Sequence, residues 1–233
     1  MKYALVTGST GGMGYAIAEK FSVNGYYVFL NGRSDNPKIA LSKDAYTYIK
    51  ADLSSLDGMT TLADSVLRIT QSIDSVVLNV GATCRKSLDV IEYSDWQHVF
   101  DTNVNVPFFL IQKLFNNIAD NGTVTFISST MSLKPHATSI PYGTSKAAVN
   151  MLAQNLVKEF APRGIRVNVV CPGFVDTAWQ ISKTPDHRAS ITKKIALDRF
   201  ASPAEVADVC LCVAQNGYIN GAVIPVDGGY DFV

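Results

Sequence analysis

A chain of 233 residues with 47% hydrophobic and 17% charged side chains can build one substantial core and lacks the low hydrophobicity of a disordered protein. Twenty Lys and Arg balance twenty Asp and Glu, so no global field recruits nucleic acid or an anionic membrane. The opening MKYALVTGST holds only a short apolar run, too brief for a signal peptide or a membrane span, and a cytoplasmic location is expected.

Short apolar runs rich in Val, Ile and aromatics fall at 2–7, 26–31, 46–51, 75–80, 122–128, 165–171 and 222–227. They are continuous rather than alternating, which predicts strands buried on both faces. Helical periodicity fills 13–24, 55–71, 93–119, 141–161 and 203–215, while the crossover from Asn31 to Tyr46 has room only for a short helix opening at Pro37. Repeated β-then-α order predicts a Rossmann-type α/β fold: a doubly wound parallel sheet of about seven strands, helices on both faces, right-handed crossovers. No linker or repeat divides residues 1–233, which read as one domain. The long stretch of weak pattern at 174–202 is where a mobile substrate flap is expected, with Trp179, Ile181, Ile191, Ile195 and Phe200 lining substrate or packing on the body. Cys84, Cys171, Cys210 and Cys212 have neither metal-ligand nor disulfide-ladder spacing, and the three histidines are scattered, so no metal site is expected. Cys210 and Cys212 sit in an apolar helical pattern and read as buried free thiols.

The stretch ALVTGSTGGMGYAIAEKF sets Gly8, Gly11, Gly12 and Gly14, with Met13 among them, between the first strand and the first helix. Glycine there permits a tight turn and lets backbone N–H groups approach a pyrophosphate, which the helix N-terminus then stabilises. A dinucleotide site is expected. At the end of the second strand, LNGRSDN offers Arg33 where an NAD binder usually has an acid for the ribose 2′-hydroxyl. A guanidinium suits a 2′-phosphate, so NADP(H) is favoured; Asp35 keeps NAD(H) open.

Two Tyr-x-x-x-Lys pairs occur, Tyr46–Lys50 and Tyr142–Lys146. The first falls on a predicted strand and reads as structural. The second opens a helix just after a strand ending near Ser129, which would bring hydroxyl, phenol and amine to one end of the sheet, where α/β folds bind ligands.

With these residues in view, the sequence resembles the short-chain dehydrogenase/reductase family over essentially its whole length. Thr7, Gly8, Gly12 and Gly14 match the family's cofactor motif, and Asp52 with Leu53 match its adenine-side acid and the residue after it. LNVG keeps Asn79 and Gly81 but has Leu78 and Val80 where the family has Asn and Ala, which puts in question the hydrogen bond that ties the central strands. Asn103, Ser129, Tyr142 and Lys146 match the catalytic set, with Ser129 thirteen residues before Tyr142. Pro172, Gly173, Val175 and Thr177 in CPGFVDT match the motif that cradles nicotinamide.

The resemblance implies hydride transfer between nicotinamide and a carbonyl or alcohol carbon. Tyr142 would be the acid/base, Ser129 the donor to the substrate oxygen, Asn103 the holder of a relay water, and Lys146 a partner of the ribose hydroxyls. An ammonium about 5 Å from the phenol at an effective dielectric of about 20 would favour phenolate by roughly 3 kcal/mol, near two pKa units. The segment after Asn79 and the C-terminal third look most like 3-oxoacyl-[acyl-carrier-protein] reductases, whose acidic carrier Arg85 and Lys86 could meet. An NAD-dependent alcohol, sugar or steroid dehydrogenase shares every catalytic residue. A non-catalytic dinucleotide sensor is the rival of another class, though such proteins typically lose Tyr or Lys. Family members usually associate as tetramers, here through 93–119 and 141–161, with a dimer as the smaller option.

Overall fold

The computed structural model describes residues 1–135, 139–230 and 232. Seven strands, β1 (Lys2–Val6), β2 (Tyr26–Gly32), β3 (Tyr46–Lys50), β4 (Ile73–Leu78), β5 (Ile118–Ile127), β6 (Arg166–Pro172) and β7 (Val223–Val226), form one sheet in the order β3-β2-β1-β4-β5-β6-β7. Every neighbouring pair is parallel. The chain winds outward from β1 through β2 and β3, then returns to place β4 on the other side of β1. That reversal opens a crevice beyond the carboxyl ends of β1 and β4, the place where such sheets bind ligands.

Among the described residues seven α-helices accompany the sheet: α1 (Gly12–Val23), α2 (Leu56–Leu67), α3 (Tyr93–Phe100), α4 (Val106–Leu114), α5 (Ile140–Phe160), α6 (Pro185–Thr192) and α7 (Pro203–Gln215). Strand residues alternate between two cores. Leu5, Phe29, Val76, Val124 and Val167 pack with Leu62 of α2, Leu110 of α4 and Val149 of α5. Val6, Leu30, Val77, Ile127 and Val170 pack with Ile17 and Phe21 of α1 and Val206 and Cys210 of α7. Burial on both faces is why the strands read as unbroken apolar runs.

Four expectations change. The helical stretch 93–119 is not one α-helix: a π-helical turn, Asp101–Asn105, separates α3 from α4, and a 3₁₀ turn, Phe115–Asn117, follows. Within it the Val106 N–H reaches the Asp101 carbonyl five residues back. Pro107 has no N–H to give the Asn103 carbonyl four residues before it, so the regular α pattern is interrupted at this point. Pro37 opens no helix, and the crossover from β2 to β3 carries only a 3₁₀ turn, Lys43–Ala45. The weakly patterned segment contains α6, opened by Thr184, whose hydroxyl accepts from the His187 N–H. Its Ile191 and Ile195 pack with Tyr230, flanked by Phe174 and Phe200. Cys210 is buried, but Cys212 lies on the solvent side of α7; all four thiols are free.

Candidate active site

A cleft of about 1040 Å³ runs along the carboxyl ends of the strands. At one end lies the loop from β1 to α1. Gly8 and Gly12 have φ of +61° and +53°, the left-handed region that favours glycine. At Gly14 a Cβ would come 2.2 Å from the Gly8 carbonyl oxygen, so only glycine lets α1 start so close to the loop. The N-cap of α1 is Gly11, with no side-chain cap and no acid in the first turn. Its N–H groups therefore keep their capacity for an anion. Met13 lines the cleft beside them, and the Thr177 side chain approaches Gly12 from the opposite wall.

Polar side chains hold this loop. Asn79 donates from Nδ2 to the carbonyls of Thr7 and Gly8, and the Asn79 and Val80 N–H groups donate to Thr7 Oγ1. Leu78 packs in the core instead. The tie between β1 and β4 thus survives the Leu78 departure, made by Thr7 and Asn79. Asn31 does comparable work across β1, β2 and β3: its Oδ1 accepts from the Gly8 N–H while its Nδ2 donates to the Ile49 and Ala51 carbonyls. Ser9 Oγ accepts from the Asn31 N–H. Neither Asn31 nor Ser9 was singled out in the sequence, although a lone Asn closing an apolar strand was a visible signal.

Further along, Arg33, Asp52 and Leu53 line the same cleft. Arg33 is exposed and has no ion pair among the described residues. Asp35 is occupied by Lys50 at 2.5 Å, on the surface. That contact also accounts for the Tyr46–Lys50 pair, whose lysine faces an acid rather than a site.

At the other end, α5 starts beside the end of β5. Ser129, Tyr142 and Lys146 all line the cleft. The Ser129 hydroxyl lies near enough to the Tyr142 phenol to favour its ionised form, though less than burial opposes it. Lys146, one helical turn on, is buried, with Nζ 5.7 Å from the Tyr142 ring centroid and donating to the Ile127 carbonyl at 2.7 Å. Ser128 fixes that turn by donating to the Lys146 carbonyl.

Burial governs both charges here. Desolvation pushes the Tyr142 phenol up to about 12, against smaller lowering by the neighbouring Ser129 hydroxyl and by Arg85. Desolvation brings Lys146 down to about 8, with a small opposing effect from Cys171. The expected Lys146-driven lowering of Tyr142 is therefore overturned. The ammonium is committed to a backbone carbonyl and is not among the groups that lower the phenol, so the cost of burying a phenolate prevails. Tyr142 stands as a neutral acid at neutral pH.

Asn103 does not line the cleft. Its Oδ1 accepts from the Ala82 N–H, and its Nδ2 donates to the Ala82 carbonyl and to Ser145 Oγ. Ser145 in turn donates to the Tyr142 carbonyl. The side chain thus links the loop after β4 to the turn of α5 that carries Tyr142, with both of its amide hydrogens used. Gly81 lies 3.4–3.5 Å from Asn103 Oδ1 and Lys146 Nζ, measured from a Cβ placed on it. Pro172, Gly173 and Val175 leave the end of β6 along the cleft; Gly173 donates to the Val226 carbonyl and is pressed against Asp227. Trp179 stands beside Tyr142, ring centroids 6.1 Å apart.

These residues fit a dinucleotide. The glycine loop admits a ligand to backbone distance, the helix start supplies donors, and Asn79 Oδ1 is buried at the cleft with no partner among the described residues. Among the described residues no group of His, Cys, Asp and Glu could hold a metal ion, and no helix is long and apolar enough to cross a membrane.

Such a fold and cleft define a dinucleotide-dependent oxidoreductase, and comparison with known proteins agrees. Residues 2–188 match the family model described as short chain dehydrogenase. The chain is 32% identical to the 3-oxoacyl-[acyl-carrier-protein] reductase FabG of Aquifex aeolicus, over 98% of this chain and 96% of that protein. It is equally 32% identical to glucose 1-dehydrogenase 2 of Bacillus subtilis, over 98% and 94%. Among solved structures, the Pseudomonas aeruginosa RhlG/NADP active-site complex superposes with a TM-score of 0.91 at 28% identity, over 99% of this chain and 96% of that one. The chain belongs to the short-chain dehydrogenase/reductase family and is an NAD(P)-dependent oxidoreductase acting on CH–OH and C=O groups.

Proposed function

We propose that the protein is a single-domain, NADP(H)-dependent carbonyl reductase in which Tyr142 donates the proton, Ser129 holds the substrate oxygen and Lys146 resupplies Tyr142. The observation that carries this reading is that Ser129 and Tyr142 line one end of a glycine-floored cleft together with a buried Lys146. Bound NADPH supplies the hydride to the carbonyl carbon. As that carbon is reduced, negative charge grows on its oxygen, and Ser129 with the Tyr142 hydroxyl stabilises it where it forms. Tyr142, held up to about 12, remains protonated and gives its proton to the oxygen, leaving the alcohol. The phenolate left behind then takes a proton from Lys146, which burial has made the stronger acid, at about 8. Asn103 acts through others, fixing Ala82 and Ser145 around Tyr142. A neutral phenol at physiological pH favours reduction over oxidation.

The preference for NADP(H) rests on Arg33, which lines the cleft with no ion pair among the described residues, and on Asp35, already held by Lys50. The 3-oxoacyl reductase relative supports an oxoacyl thioester, and the glucose dehydrogenase at equal identity supports a sugar with the same catalytic residues. Exposed Phe109 on α4 and Met151 on α5 support association through these helices, as a tetramer or a dimer, and the reading takes the protein to work in the cytoplasm. The test is a carbonyl panel read optically with NADPH and with NADH, on wild type and Arg33→Ala. The account expects NADPH to be preferred and the variant to lose about tenfold or more in NADPH affinity, with NADH changed about twofold at most. Equal loss for both cofactors would remove the 2′-phosphate contact.

A further inference from the structure

The catalytic end of the cleft is cationic in a way the reduction itself does not require. Arg85, on the loop after β4, and Lys183, on the segment between β6 and α6, both line it together with Ser129 and Tyr142. The two are close enough to influence one another, and Arg85 also acts on the Tyr142 phenol. Their sequence neighbours are neutralised: Lys86 pairs with Asp95 at 2.6 Å and Arg188 with Asp176 at 3.0 Å. Arg85 and Lys183 have no ion pair among the described residues. Of the described residues that line the cleft, the only carboxylate is Asp52, on the loop after β3. Lys194 adds a further cation to the same lining. Two like charges brought together at a reaction site, one of them partly buried, repel each other and are costly until an anion lies between them.

Building on the reductase reading, we propose that the substrate is a small oxo acid whose carboxylate is held by Arg85 and Lys183 while its carbonyl oxygen meets Ser129 and Tyr142. The planar guanidinium of Arg85 offers paired donors to a carboxylate, and Lys183 adds a point charge from a second segment of chain. Trp179, beside Tyr142, provides an apolar wall for the carbons between the two ends. Lys86 is paired with Asp95, so of the two neighbours Arg85 is the one with no ion pair among the described residues, and it is the one that lines the cleft.

The test compares 2-, 3- and 4-oxo carboxylates with their methyl esters, using the full-length protein and NADPH. At least one acid should exceed its ester in kcat/KM by tenfold or more, through KM. In Arg85→Gln and Lys183→Gln that acid-to-ester ratio should fall toward one, in Arg85→Glu it should drop below one, and in Lys86→Gln it should stay as in wild type. Equal turnover of acid and ester, or a ratio untouched by the Arg85 and Lys183 variants, overturns the proposal while leaving the reductase reading intact. So does a marked preference for a carrier-protein thioester or a phosphorylated ketone over every oxo acid. Binding supplies a readout independent of turnover: in the NADPH complex, succinate and 3-hydroxybutanoate should raise the melting temperature saturably, and the Arg85 variants should abolish the shift. If no carbonyl compound is reduced, the reductase reading fails, and this shift alone decides the anion site; its absence refutes it.

Discussion

The two ends of the cleft work by different physics. At the glycine end, the ligand-facing surface is mainly backbone: Gly8, Gly12 and Gly14 allow close approach, and the side chains of Asn31, Asn79 and Thr7 brace the loop. No group there has to titrate. At the Tyr142 end, the surface is made of side chains whose charged forms the protein disfavours, the phenol held up to about 12 and the amine down to about 8. One end therefore offers shape and fixed dipoles, and the other offers protons. Damage to the first should appear as lost cofactor affinity. Damage to the second should appear in turnover and its pH dependence.

The largest effect is expected at the proton-donating end. Tyr142→Phe removes the acid and keeps the ring, so kcat should fall by roughly 10³-fold, within the usual range for a general acid, with NADPH affinity within a few-fold of wild type. Near-normal turnover would erase the distinction between the ends. Next is Gly14→Ala, whose Cβ would strike the Gly8 carbonyl oxygen. Moving α1 away from the loop should cost about 1–3 kcal/mol of stability and weaken NADPH by about tenfold or more, while kcat at saturating cofactor stays within a few-fold. A variant that kept its affinity would show that close approach of the loop is not needed.

The smallest effect has the less familiar sign. The folded-state pKa of Lys146 is depressed below its ordinary value of 10.5, so burying the ammonium destabilises the fold below about pH 8. As pH rises from there toward 10.5 the unfolded chain binds the extra proton and that penalty disappears. Lys146→Met should consequently be more stable than wild type at pH 7, by about 1–3 kcal/mol in denaturant titrations, with the advantage gone near pH 10.5. A variant less stable at pH 7 would mean that the bond to the Ile127 carbonyl outweighs desolvation.

Much of this frame was legible in the sequence because two-sided burial writes itself as unbroken apolar runs. The runs at 2–7, 26–31 and 75–80 lie within a residue or two of β1, β2 and β4. The nearness of Ser129, Tyr142 and Lys146 was equally legible, since a strand end and the next helix start meet at one edge of the sheet. The rest depended on three-dimensional context. The π-helical turn at Asp101–Asn105 sits inside an intact helical periodicity, with Pro107 its one local trace. The direction of the Tyr142 shift was misread because the helical spacing gives the distance to an ammonium but not how deeply both groups are buried or that Lys146 is claimed by Ile127. α6 was lost in a stretch whose apolar residues face a small satellite core rather than a regular stripe. Asp35 and Arg33, two residues apart, could be separated only once Lys50 on β3 was seen to hold the acid.

The most direct test of Tyr142 as a neutral donor fed by Lys146 is the pH dependence of kcat for reduction of a neutral ketone at saturating ketone and NADPH. With Tyr142 protonated throughout, the account predicts a level profile from pH 6 to about 8 and a fall above it, as Lys146 loses the proton it would pass on. A rate that climbed through this range, as a phenolate base would require, or one that stayed level to pH 10, would contradict it.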